Sequence, residues 1–136
     1  MAIARMILCE WRGPHLDKQV VPHPTLDQIE AAVLRLDNGR FNDLYLEPGA
    51  EESGTWLCVG GGSGKYLLSG AEGGQRFATL VDPARPSEPS ETLVVGGQTG
   101  IYPRNRVHTL ETALATVRAF WQSGRFQAAG LTWVEE

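Results

Sequence analysis

The sequence predicts an α+β fold: an antiparallel meander sheet of about five or six strands with two helices packed on one face. Three observations carry this. The apolar period changes from helical to extended at Asp43 and stays extended to Val95. The extended segments are short and divided by glycine-rich or polar turns, whereas parallel pairing needs long crossovers. Outside that stretch lie two capped amphipathic segments, each with a single apolar stripe that a sheet face can bury.

Taken in order, Ala2 to Trp11 reads as a strand carrying Ile3, Met6, Leu8 and Trp11. Gly13-Pro14, Pro22 and Pro24 cannot continue a central strand, so a loop is expected between it and the first helix. Thr25 with Gln28 three residues on is a capping box, and Leu26, Ile29, Val33 and Leu36 form the stripe behind it until Asn38-Gly39. The segments DLYLE, TWLCVG, KYLLSG, QRFATLVD and TLVVGG follow as strands, with helices expected at the ends of this meander and not between its strands. Pro83 to Pro89, with three prolines in seven residues, is an exposed connection. Gly96 to Gly100 is a further break, and Pro103 makes the stretch from Ile101 to His108 an edge or irregular segment.

The C-terminal stretch is the most informative. Thr109 is a natural N-cap, Glu111 sits near the positive end of the helix dipole, and Leu110, Ala113, Leu114, Val117, Phe120 and Trp121 recur at three- and four-residue steps. Gly124 ends the helix, and a short strand carries Leu131 and Trp133. This arrangement, through Ala113, Phe120, Trp121, Gly124, Leu131 and Trp133, resembles the C-terminal signature of immunity protein family 1 of bacterial polymorphic toxin systems. Upstream, the first helix and the segments Asp43 to Leu46, Thr55 to Val59 and Thr92 to Val95 fall in the same order, so the resemblance covers roughly Thr25 to Glu135. It implies a small cytoplasmic protein that binds and neutralises a cognate toxin domain, often a nucleic-acid deaminase.

At 136 residues the chain is expected to be a single domain, residues 1–136, able to bury a core without metal or disulfide staples. Met6 to Leu8 is too short for the apolar region of a secretory signal, and no run approaches the roughly 18 apolar residues of a membrane span. A cytoplasmic location with no membrane contact is expected. Cys9 and Cys58 lack C-x-x-C spacing and read as buried small hydrophobes.

The formal charge of −4 is concentrated: Asp27, Glu30, Asp37, Asp43, Glu47, Glu51 and Glu52 face only Arg35 and Arg40 between Thr25 and Gly60. Direct nucleic-acid binding is disfavoured, since phosphates require clustered Lys or Arg. A toxin with a basic surface suits the charge better.

Tests for chemistry fail one by one. A phosphate loop ending at Gly64-Lys65 would need glycine at Val59 and Ser or Thr at Tyr66, and a dinucleotide fingerprint from Gly60 would need glycine at Lys65. Gly60 to Lys65 is therefore a hairpin, and Ser63 is not a nucleophile elbow. Neither the H-x-E nor the P-C-x-x-C motif of a zinc deaminase is present, so membership in such a system would be as inhibitor. No catalytic, cofactor-binding or metal-binding residue is assigned. The candidate partner-binding residues are Asp43, Glu47, Glu51 and Glu52 as an acidic rim, with Trp56 and Tyr66 as aromatic anchors beside the glycine hairpin. Two alternatives stand beside this reading: a small ligand-binding protein or enzyme whose site, built from His15, His108, Arg104 or Tyr102, forms only in the fold, and a self-associating adaptor using a strand edge.

Overall fold

The computed structural model describes residues 3–49, 54–74, 76–126 and 131–135. The chain forms strands β1 (Arg5–Arg12) and β2 (His15–Pro22), helix α1 (Leu26–Arg35), then β3 (Asp43–Glu47), β4 (Trp56–Gly62), β5 (Lys65–Glu72) and β6 (Arg76–Val81). A hairpin of β7 (Glu91–Val95) and β8 (Gln98–Tyr102) follows, then a 3-10 turn at Arg104–Arg106, helix α2 (Leu110–Ser123) and β9 (Thr132–Glu135). Seven strands make one sheet in the order β2-β1-β3-β4-β5-β6-β9, and β7 and β8 pair separately. Every pairing is antiparallel. The fold is α+β.

Both helices begin where their capping residues predict. Thr25 Oγ1 accepts the Gln28 N–H while the Gln28 side chain accepts the Thr25 N–H, closing the capping box. Thr109 accepts from Thr112 N–H, and α2 stops at Gly124, whose φ of 68° is the left-handed conformation expected of a C′ glycine. The buried stripe of α1 is Ile29, Ala32 and Val33; that of α2 is Ala113, Thr116, Val117 and Phe120. These meet Met6, Leu8, Leu44, Leu46, Leu57, Val59, Tyr66, Leu68 and Leu80 from one face of the sheet, forming the main core. Phe126 stacks on Trp133 with ring centroids 4.5 Å apart and lies 5.8 Å from Phe120, which ties β9 to α2.

The strand inventory departs from the sequence expectation in three places. The expected loop before α1 contains β2, an edge strand paired with β1 from Arg12↔His15 to Arg5↔Pro22. An edge tolerates Pro22 because a proline needs only one side of the ladder. The break at Gly96 to Gly100 is narrower: Gly96 and Gly97 make the turn, and Gln98 onward pairs as β8. The segment TLVVGG, expected in the same meander, pairs with β8 in a separate two-stranded sheet, while the helices flank the stretch from Asp43 to Val95 as expected. The uninterrupted meander is β3 to β6.

Gly60, Gly61 and Gly62 sit inside β4, and Ser63-Gly64 alone makes the turn to β5, both with positive φ. The three glycines answer to packing. A Cβ on Gly60 would lie 2.6 Å from Val95 Cγ1, and one on Gly62 would lie 2.4 Å from the Leu36 carbonyl carbon. Missing side chains let the β7–β8 hairpin and the end of α1 close onto the sheet.

Candidate functional site

Strand alternation places Arg5, Ile7, Cys9 and Trp11 of β1, Asp43, Tyr45 and Glu47 of β3, Trp56, Cys58 and Gly60 of β4, and Phe77 and Thr79 of β6 on the face opposite the helices. The β7–β8 hairpin covers one end of that face, with Val95 over Gly60 and Gly97 over Trp11. The other end carries a row of rings. Tyr45 and Phe77 each meet Trp56 edge to face, with centroids 5.8 Å apart. Trp56 pairs with Ala71, which pairs with Phe77, so a small side chain on β5 lets the two rings touch across it. Phe77 is 42 % exposed, and Val20 on the same face is 52 % exposed.

Hollows flank this row. One, of about 280 Å³, is lined by Arg5, Ile7, Lys18, Tyr45, Glu47 and Trp56. The other, of about 210 Å³, is lined by Leu67, Ser69, Phe77, Tyr102 and Arg106 among others. Arg5 Nε donates to Glu47 Oε1 at 2.6 Å, fixing an ion pair at the margin of the first hollow.

The sequence candidates fall in different places. Trp56 and Glu47 come together on the face opposite the helices. Asp43 shares that face but is 1 % exposed: Trp11 Nε1 donates to its Oδ1 at 3.0 Å and the Tyr45 hydroxyl to its Oδ2 at 2.9 Å. It holds two aromatic side chains in place and is not part of a rim. Tyr66 pairs with Gly61, faces the helices and is 3 % exposed, so it belongs to the core and not beside Trp56. Glu51 and Glu52 lie outside the described residues. The wider acidic stretch is also spent internally, since Glu30 pairs with Arg118 and Asp37 Oδ1 accepts the N–H groups of Gly39 and Phe41. Regional charge counted along the chain therefore does not become one acidic surface among the described residues.

Tyr45, Phe77, Arg5 and Lys18 were not singled out by sequence. For Arg5, Tyr45 and Phe77 the signal was the period-2 alternation of RMILCEWR, DLYLE and RFATLV, which puts polar and aromatic residues on the side away from the leucines; Lys18 lies on β2, where a loop was expected.

The thiols and the phenol on this face are shifted toward their protonated forms. Burial pushes the Cys9 thiol up to about 12, with the Asp43 charge adding to the shift. Cys58 is raised by burial and then by Asp43, and Tyr45 by burial and then by Cys58 and Asp43. Protonated thiols are poor nucleophiles. His15 lies on β2, while His108 bridges to Tyr66 of β5, so three strands separate the two. Tyr102 reaches the second hollow. No group of three or more His, Cys, Asp or Glu among the described residues is placed to hold a metal ion, and none of the described helices is long and apolar enough to cross a membrane. No family model, curated protein or solved structure matches this chain.

Proposed function

We propose that the chain is an immunity protein: it binds a cognate toxin domain through the aromatic end of the sheet face opposite the helices and occludes the toxin's substrate channel. The observation that carries this is the Tyr45–Trp56–Phe77 row, a partly exposed aromatic surface set between two hollows and bordered by the Arg5–Glu47 pair. Interface energy concentrates in aromatic anchors surrounded by polar groups, and rigid rings lose little entropy on docking. Trp56 is held from both sides, so its conformation is set before a partner arrives. The resemblance of Ala113, Phe120, Trp121, Gly124, Leu131 and Trp133 to the immunity signature supplies the class of partner. A nucleic-acid-directed toxin needs a basic channel, and the acids from Glu47 to Glu52 are the groups suited to its margin. The mechanism is competitive exclusion and requires no reaction by this chain.

The test is sedimentation and calorimetry with the toxin domain encoded beside it. A 1:1 complex is expected, with W56A and F77A each weakening it about tenfold or more. Charge reversal at Glu51 and Glu52 is expected to lower affinity and alter its salt dependence. Failure to form a complex would overturn the reading, and a complex indifferent to Trp56 and Phe77 would move the contact to another surface.

A further inference from the structure

A separate cleft of about 470 Å³ opens between the β1–β2 hairpin, the connection from α1 to β3 and the β7–β8 turn. Trp11, Arg12, Arg40, Asn42 and Gly97 are among its walls. These walls are fixed by specific bonds. Asn42 is 1 % exposed; its Oδ1 accepts the Gly97 N–H at 3.0 Å and its Nδ2 donates to the Gly39 carbonyl at 2.7 Å. Trp11 N–H donates to the Arg40 carbonyl at 2.7 Å, and its indole N–H is held by Asp43. Gly97 sits so close to the indole that a Cβ there would be 2.6 Å from two ring atoms.

Two guanidinium groups share one carboxylate in this wall. Arg40 and Arg12 both approach Oε2 of Glu10, Arg12 at 3.5 Å, and Glu10 is 7 % exposed. More than half of each arginine side chain faces solvent, 59 % for Arg12 and 55 % for Arg40. Arg35 and Arg40 both lie over the Phe41 ring, 4.5 and 5.9 Å from its centroid, so a third cation stands near the pair without lining the cleft. Two further carboxylates are directed at neutral donors, Asp37 at the N–H groups of Gly39 and Phe41 and Asp43 at Trp11 and Tyr45. Arg12 and Arg40 together carry two positive charges against the single carboxylate of Glu10, which leaves this exposed arginine pair with one charge to spare. A guanidinium offers a planar fork of donors matched to phosphate or carboxylate oxygens, and an adjacent indole suits a planar group attached to them.

We propose that this cleft binds a phosphate monoester, its oxygens between Arg12 and Arg40 and its organic part against Trp11. The inference is independent of toxin binding. The test uses the full chain at low salt, with calorimetry and amide chemical-shift mapping against inorganic phosphate, adenosine 5′-monophosphate, adenosine and acetate. Phosphate and the monophosphate are expected to bind and to shift the Arg12, Gly13, Gly39 and Gly97 amides, while adenosine and acetate bind more weakly. Tighter binding of the monophosphate than of phosphate assigns the organic part to the indole; equal binding assigns the site to the free ion. R12Q leaves the Arg40–Glu10 contact in place and is expected to weaken phosphate about tenfold with an unchanged melting curve. R40K keeps the charge on Glu10 but loses the fork, and a similar loss is expected. No binding of either phosphate ligand at about 10 mM, an affinity far below the millimolar range, or full binding by both variants, would overturn the proposal.

Discussion

Gly62 is a residue whose chemistry is set entirely by its neighbours. Its φ of +132° and the 2.4 Å approach of the Leu36 carbonyl carbon leave no room for a Cβ. Gly62→Ala is expected to cost about 2 kcal/mol or more, read as a lower urea midpoint with little change in slope. His108 makes the opposite kind of demand. It is 4 % exposed, its Nε2 lies 2.7 Å from the Leu80 carbonyl and donates to it as the neutral ring, and burial lowers its pKa from the ordinary 6.5. Unfolded chains then take up a proton that the folded form resists. The contribution is present above pH 6.5 and is lost as pH falls from 6.5 through the lower folded value. Denaturant midpoints of the protein and of H108Q, compared from pH 7.5 to about 5, are expected to converge toward acid; a constant difference would remove the explanation. At Cys9 and Cys58 the raised pKa values mean that a thiol reagent at pH 8 is expected to label neither until the protein unfolds.

At the scale of elements, the helices were legible and parts of the sheet were not. Thr25 with Gln28, and Thr109 with Gly124, are local signals, and local signals survive folding intact. T25A is expected to remove about 1 kcal/mol by leaving Gln28 N–H without its cap, a loss measurable by thermal melting. The segments from DLYLE to RFATLV alternate or run apolar, and they form β3 to β6. β2 was hidden because proline is read as excluding a strand, although at an edge it excludes only half the ladder. Glycines 60 to 62 read as turn because their need for space comes from Leu36 and Val95, far away in sequence. Asp43 was read as a surface acid for the same reason: its donor Trp11 lies 32 residues earlier. Of the candidate site, Trp56 and Glu47 were visible through residue type. Phe77 and Arg5 became visible only once the register aligned five strands.

For the molecule as a whole, the sheet has two unequal sides. The helix side is closed by Phe120, Phe126 and Trp133, and F120A is expected to cost about 3–5 kcal/mol because it empties the seam between α2 and the sheet. Calorimetric unfolding measures it. Among the described residues, the opposite side is closed where β7 and β8 cross it. The four tryptophans divide accordingly: Trp121 and Trp133 pack against the helix-side core, Trp11 is bonded to Asp43 beneath Gly97, and Trp56 stands between Tyr45 and Phe77. Trp56 is thus an optical label already installed. Water next to its indole reddens the emission, so anything that settles over Tyr45 and Phe77 should shift the spectrum toward blue, and Trp56→Phe should abolish the signal while leaving the other three emitters in place.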